Sequence, residues 1–250
     1  ESYAYGKTLV IDDMVMVTER DEFIYHEMIV HVPVFLQGAP EEVLVIGGGD
    51  GGTVRELLKH PSVKRVTLAE IDQTVLDAAR QLLPQLSSAL DDPRVTVKVL
   101  DGIEFLKNSA AALYDLIIVD GSDPEGPAEG LFSASFYEDA HRALKSGGIL
   151  NLQSEGPLFH TPTFVALNRC LRSIFGEAAV ACYLAYISTY PTGMWSFTSV
   201  RKEGPLEPLK FDLAQATIFS TQHQLQYYTP EMHYAAFSLP PFIKKMLADH

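Results

Sequence analysis

The chain has 250 residues, 47% of them apolar and 20% charged, with a formal net charge of −13 at pH 7. The apolar fraction supports a full core, and the length suits one large α/β domain with a small appendage. The acidic balance argues against a protein that grips nucleic-acid phosphates, and no apolar run approaches the ~20 residues of a membrane-spanning helix.

In chain order, Lys7–Ile11 and Met14–Thr18 read as short strands around an Asp12-Asp13 turn. Residues 1–20 are expected to form part of a small N-terminal β-domain, and 21–250 the main domain with its tail. Glu22 to about Val34 reads as a helix, with Asp21 as its candidate N-cap. Val43–Ile46 is an apolar strand that runs into Gly47-Gly-Gly-Asp-Gly-Gly52, and Thr53–His60 is a helix stopped by Pro61. Strands at 65–70, 95–99, 115–119 and 148–152 then alternate with helices at 72–83, 102–108 and 133–145, the last closed by Gly147-Gly148. A further helix is expected at about 162–175. Ala178–Ile187 and Met194–Val200 read as strands around Tyr190-Pro-Thr-Gly193, a hairpin-like ending that suits a methyltransferase-type sheet. The predicted fold is therefore α/β: a methyltransferase-like Rossmann fold, a mostly parallel seven-stranded sheet with helices on both faces, plus the N-terminal β-hairpin. Lys202–Pro208 reads as a linker. The tail from Phe211, with Tyr227, Tyr228 and a short helical segment, is expected to pack back on the domain.

Glu1 is not followed by the basic and apolar regions of a signal peptide. The chain starts without Met, in what reads as the middle of a β-segment, so residues are expected to precede it. Cys170 and Cys182 are isolated, with no Cys-x-x-Cys pair, and are expected to be buried reduced thiols, which suits the cytoplasm. The histidines show no His-Glu-x-x-His spacing, and no metal is assigned.

Strand, glycine turn and helix together build a nucleotide site at the carboxyl ends of sheet strands. Asp50 sets this loop apart. A loop that cradles a pyrophosphate offers N–H groups to an anion, and a carboxylate in its middle repels one. The loop points to a nucleoside whose attached group is positive, such as S-adenosylmethionine or a relative, and away from NAD. The sheet strands each run into an acid. Glu70, about 20 residues past the loop, can accept hydrogen bonds from both ribose hydroxyls. Asp101-Gly102 is placed to meet an adenine edge, and Asp101 reads equally well as a helix N-cap. Asp120-Gly-Ser-Asp-Pro-Glu125 is the candidate reaction centre, the plainer reading being an Asp-Pro turn before the next helix. A charge pair at ~4 Å is worth ~1 kcal/mol in water and ~4 kcal/mol at an effective dielectric of ~20. Asp120 and Asp123 would thus trap a cation, and could also take a proton from an ammonium.

The chain strongly resembles the spermidine synthase family of polyamine aminopropyltransferases. The resemblance rests on Thr18-Glu-Arg-Asp-Glu-Phe-Ile-Tyr-His-Glu27, Gly47-Gly-Gly-Asp-Gly51, Glu70-Ile-Asp72, Asp91-Asp-Pro-Arg94, Asp120-Gly-Ser-Asp-Pro124, Gly126-Pro-Ala128 and Thr189-Tyr-Pro-Thr-Gly193, in order along nearly the whole chain. It implies a co-substrate, decarboxylated S-adenosylmethionine, and no separate cofactor. Gly47 and Gly49 would form its loop, Glu70 would hold its ribose, Asp101, Gly102 and Pro127 would border its adenine, and Asp50 would bind its ammonium. Asp120 would be the acid–base residue and Tyr25 would orient the attacking amine. His26, Asp123, Gln153 and Tyr190 would line the polyamine side, together with Asp50. Met16 stands where many members carry a Gln that contacts the nucleoside; its thioether can still pack there. Family members are usually dimers or tetramers. Putrescine is the expected acceptor, with cadaverine, agmatine and spermidine as alternatives, and Glu19, Glu22 and Glu177 are acids that could hold its distal ammonium. The competing readings are a methyltransferase of the same fold, a non-catalytic polyamine-binding protein and an NAD enzyme.

Overall fold

The computed structural model describes residues 4–121 and 126–248, and of 126–128 the backbone alone. Strands β1 (Thr8–Ile11) and β2 (Met14–Thr18) pair antiparallel as a separate two-stranded sheet. Asp12 and Asp13 turn between them with φ of 50° and 65°, the left-handed conformation a two-residue hairpin needs and Asp tolerates.

Helix α1 (Glu22–Gln37) follows and is buried at every position from Tyr25 to Leu36. Next come β3 (Glu42–Gly47), α2 (Gly52–Leu58), β4 (Arg65–Glu70), α3 (Gln73–Leu82), α4 (Pro84–Ser87), β5 (Val95–Val99), α5 (Gly102–Lys107) and β6 (Tyr114–Asp120). The chain continues through α6 (Ala134–Ala143), β7 (Leu144–Gln153), α7 (Thr161–Phe175), β8 (Val180–Tyr186) and β9 (Met194–Arg201). It ends in α8 (Leu213–Gln222), α9 (Pro230–Ala236) and α10 (Pro241–Ala248). Among the described residues the main sheet has seven strands in the order β5-β4-β3-β6-β7-β9-β8. The neighbours from β5 to β7 are parallel, and β9 is antiparallel to β7 and to β8. The order of strand insertion reverses between β3 and β6, which leaves a crevice at their carboxyl ends.

Period-two alternation builds a core on each face. Val43 and Val45 of β3, with Leu116 and Ile118 of β6, pack against α1 and α2. Leu44 and Ile46, with Ile117 and Val119, pack against α5 and α6 on the other face.

A helix apolar all round is stable only when buried on all sides, and α1 carries Pro33 in its interior. Proline has no N–H for the carbonyl four residues back. That carbonyl, Ile29, accepts from the Asn151 side chain on β7 at 2.9 Å, and the Tyr183 hydroxyl donates to the Met28 carbonyl at 3.0 Å. The buried carboxylate of Glu27 accepts the N–H groups of Gln226, Tyr227 and Tyr228 at 2.9, 2.8 and 2.7 Å. This docks the tail, and Tyr228 stacks on Phe35.

Several expectations are corrected. Asp21 precedes α1, but its side chain makes no capping bond; it is taken up elsewhere, as described below. The predicted helix over 133–145 stops at Ala143, and Gly147-Gly148 lie inside β7, because Leu144 already pairs with Tyr114 and is fully buried. Residues 84–91, given no element by the sequence, form α4 and a 3-10 turn. Among the described residues the tail holds three helices rather than one. Asp212 caps α8, and Thr229 caps α9 ahead of Pro230, a signature the sequence displays.

Replacing Asn151 with Leu leaves the Ile29 carbonyl buried without a donor. The expected loss is about 1–3 kcal/mol, seen as a lower urea midpoint at unchanged m-value.

Candidate active site

The register of the sheet sets the site. Gly47 pairs with Asp120 across β3 and β6, and Ile46 with Ala69 across β3 and β4, so Asp120, the glycine loop and Glu70 meet at one edge. A cleft of about 510 Å³ opens there, a size typical of small-molecule sites. Of the residues expected on the nucleoside side, Met16, Gly47, Gly49, Asp50, Glu70, Asp101 and Gly102 line it. So do Tyr25, His26, Asp120 and Tyr190 from the amine side.

The glycines are required by the acids around them. A Cβ on Gly48 would lie 2.7 Å from Asp120 Oδ2, and one on Gly49 would lie 2.8 Å from Glu70 Oε2. A Cβ on Gly47 would strike the Asp120 carbonyl, and one on Gly52 would strike the His26 ring. Gly51 turns the chain with φ +90°, and a Cβ on it would meet the backbone of Leu86 and Ser87. Asp50 folds inward. Its Oδ1 accepts the Gly52 N–H at 2.6 Å, at the start of α2. The helix N-terminus, where a phosphate would otherwise bind, is thus answered by the protein's own carboxylate.

Asp120 Oδ1 accepts the Tyr25 hydroxyl at 2.7 Å and Oδ2 accepts the Thr53 hydroxyl at 2.7 Å. Burial and the negative charge of Asp50 push Asp120 upward, against the opposite pull of His26, Thr53 and Tyr25. Burial and the charge of Asp120 drive Tyr25 far above its ordinary range, so its hydroxyl stays protonated and donates. Burial would also raise Asp50, but the charge and hydrogen bond of His26, the Gly52 N–H and Arg55 hold it low. Two neighbouring acids are thereby pushed apart.

His26 lies between two carboxylates. Nδ1 is 2.6 Å from Glu22 Oε2 and Nε2 is 3.4 Å from Asp50 Oδ1. Burial would lower its pKa, but Asp50 and Glu22 raise it to about 10. Arg55 grips Glu22 with two nitrogens at 3.0 and 2.9 Å. Glu70 Oε2 accepts the Gly49 N–H at 3.1 Å and Oε1 accepts the Asp72 N–H at 2.9 Å. With the Ile71 N–H as a further donor, the carboxylate still keeps acceptor capacity for a ligand hydroxyl. Burial raises Glu70, partly offset by those backbone N–H groups.

Asp101 caps α5 by accepting the Ile103 N–H at 2.8 Å, and it also lines the cleft. The Tyr190 hydroxyl donates to the Met16 carbonyl at 2.6 Å and so ties β2 to the cleft wall. Gln153 sits behind the wall; its amide donates to the Gly121 carbonyl and to Glu155, both at 3.3 Å. Asp123 lies outside the described residues. Pro127 falls on a 3-10 segment, Gly126–Phe132, whose side chains at 126–128 are likewise outside them. Among the three acids considered for a distal ammonium, Glu22 lines the cleft, while Glu177 is exposed and paired with Arg172. Glu19 accepts from the Lys7 N–H and from Gln85.

Sequence reasoning missed Thr53, Arg55 and the true use of Asp21. Asp21 Oδ2 accepts from Ser188 Oγ at 2.9 Å and from the Thr189 N–H and hydroxyl at 3.1 and 2.8 Å. Those partners lie more than 160 residues away, beyond any local signal. Cys182 is buried and Cys170 half-buried, both free thiols. Among the described residues no cluster of His, Cys, Asp and Glu is placed to hold a metal ion, and no helix is long and apolar enough to cross a membrane.

The sequence profile of the spermine/spermidine synthase domain matches residues 22–211. The chain belongs to the spermine/spermidine synthase family. It is an enzyme of that family. It is 47% identical over 247 residues to the polyamine aminopropyltransferase of Moorella thermoacetica, covering 99% of this chain and 84% of that protein. It is 45% identical to the polyamine aminopropyltransferase of Shouchella clausii, covering 99% and 86%. A crystal structure of spermidine synthase in complex with the transition state analogue AdoDATO superposes with a TM-score of 0.94 at 40% identity, covering 100% of this chain and 84% of that one. The spermidine synthase from Thermotoga maritima gives 0.92, also at 40% identity, covering 100% and 83%.

Gly52→Ala places a methyl group where the His26 ring sits. The variant is expected to keep the wild-type far-UV circular dichroism but lose turnover about 10²-fold, as small misplacements at a reacting site do.

Proposed function

We propose that the protein transfers the aminopropyl group of decarboxylated S-adenosylmethionine to putrescine, giving spermidine and methylthioadenosine. The observation that carries this reading is the pair Asp50 and Asp120. One is held ionised and the other is raised toward accepting a proton. Titratable neighbours whose environments push them apart mark acid–base assignments. Asp50 would bind the ammonium on the donor's three-carbon arm. Glu70 would hold the ribose, Asp101 and Gly102 the adenine edge, and Met16 would pack against the nucleoside. Tyr190 and His26, with Gln153 behind them, would shape the amine side.

A diamine is cationic at both ends near neutral pH. Its attacking end must lose a proton to expose a lone pair. Asp120 would accept that proton, with Tyr25 orienting the nitrogen. The nitrogen then attacks the carbon beside the sulfonium in line, the C–S bond breaks with its electron pair going to sulfur, and neutral methylthioadenosine leaves. Most of the work is positioning. The same two acids disfavour ordinary S-adenosylmethionine, whose α-carboxylate would face Asp50 and Asp120 at short range. We read the protein as a cytoplasmic homodimer or homotetramer, in keeping with its free thiols and the family resemblance; light scattering after size exclusion reports the assembly.

Asp120→Asn keeps the shape but cannot take the proton. Turnover is expected to fall about 10²–10⁴-fold with donor affinity retained; turnover within a few-fold of wild type would remove Asp120 from the proton-accepting role.

Product analysis by mass spectrometry, with decarboxylated donor and a panel of amines, tests the acceptor. The expected order of kcat/KM is putrescine above cadaverine, with spermidine poor, because one extra methylene displaces the reacting nitrogen. Faster turnover of agmatine or spermidine would overturn the acceptor and leave aminopropyl transfer standing. Transfer to no amine would overturn both.

A further inference from the structure

His26 has two carboxylate partners in the free cleft, and only one of them is needed to hold its ring. The ring is buried, lies flat against Gly52, and meets the Tyr25 ring edge-on at 5.5 Å. Nδ1 is fixed by Glu22 at 2.6 Å, and Glu22 is itself clamped by Arg55. Nε2 faces Asp50 at 3.4 Å, in the wall of the cleft. The charged and titratable groups around the ring are Glu22 and Tyr25 on α1, Asp50 on the loop, Arg55 on α2 behind Glu22, and Asp120 on β6 beyond Tyr25. Arg55 offsets Glu22, Lys59 offsets Glu56, the other carboxylate on Arg55, and a protonated His26 offsets Asp50. With the Asp120 carboxylate counted, these groups carry one net negative charge before any ligand enters, and the donor brings two positive charges, its sulfonium and its ammonium.

Resting on the aminopropyl-transfer reading above, we propose that His26 is a resident cation of the cleft, and that docking of the donor's ammonium against Asp50 expels the Nε2 proton to solvent. Two cations on Asp50 repel each other, because like charges in a water-poor site interact more strongly than in water. Loss of one proton from Nε2 restores neutrality. The ring stays in place, since Nδ1–H still donates to Glu22. Neutral Nε2 then carries a lone pair that accepts a hydrogen bond from the incoming ammonium. A second cation thereby becomes an acceptor, and donor binding is coupled to proton release. Asp50 and Glu22 raise His26 to about 10 in the free cleft, so the ring carries its proton there before the donor arrives.

The test is calorimetric titration at about pH 8.5, in two buffers of different ionisation enthalpy, where carboxylates are already charged and an amine of pKa ~10.4 is still protonated. Decarboxylated S-adenosylmethionine is expected to release about half a proton or more per molecule bound. Methylthioadenosine, a neutral thioether that lacks both the sulfonium charge and the ammonium arm, is expected to release none, and His26→Gln to bind the donor without release. In ¹⁵N-labelled wild type, the His26 ring nitrogens should pass from the imidazolium to the neutral pattern on donor binding, a readout that does not depend on any variant folding. Equal heats in both buffers, equal release by methylthioadenosine, unchanged release in His26→Gln or an unchanged ring spectrum would each overturn the proposal while leaving donor binding intact. If neither nucleoside binds, the aminopropyl-transfer reading fails, and the proposal falls with it.

Discussion

The absence of side chains at Gly47, Gly48, Gly49, Gly51 and Gly52 is the constraint on which the rest of the site depends. Parallel pairing of β3 with β6 brings Asp120 level with Gly47, so the loop must pass directly over that acid. A single Cβ at Gly47, Gly48, Gly49 or Gly52 would displace Asp120, Glu70 or His26. A glycine loop is ordinarily explained by the close approach of a ligand's phosphates to the backbone. Here the space is already used by the protein's own ionisable groups. The loop is a packing surface for charge, and the helix behind it finds its anion in Asp50 rather than in a ligand.

Bringing so many acids together is unfavourable unless each is paired or hydrogen-bonded. The structure distributes the compensation. Asp50 has His26 and the Gly52 N–H, Glu70 has the N–H groups of Gly49 and Asp72, Glu22 has Arg55, and Asp120 has two hydroxyls but no cation of its own. Asp120 and Glu70, held by hydroxyls and backbone N–H groups, are therefore the acids left raised. Of the two, Asp120 also faces the negative charge of Asp50.

The first turn of α1 supplies Glu22, Tyr25 and His26, so the rigidity of that helix passes directly to the cleft. Its interior proline weakens the backbone ladder, and Asn151 and Tyr183 repair it from the sheet. Glu27 anchors the tail against its far side. Asp21, just ahead of the helix, draws the Ser188–Thr189 segment inward, while Tyr190 reaches β2. The two-stranded sheet, the buried helix and the β8–β9 connection are thereby joined at one wall of the site.

Much of this was legible in the sequence because the signals are local. The alternation of strands and helices, the Gly-rich turn after Val43–Ile46, and the acids at the ends of β3, β4 and β6 need only short windows to be read, and they predict the sheet and the edge where the cleft opens. The carboxylate in the glycine loop implied a cationic group without any coordinates. Only the tertiary structure decided how those acids are compensated. Thr53 beside Asp120, Arg55 on Glu22, and Asp21 turned away from its helix to Ser188 and Thr189 depend on side-chain directions and on partners 33 to 168 residues apart. Glu177, one of three acids weighed for the same task, proved to be a surface charge, while Glu22 entered the cleft. Periodicity places a residue on an element, but the register of β3 against β6 and the packing of α1 across the sheet determine which charges meet, and it is their mutual distances that set which acid stays ionised and which can take a proton.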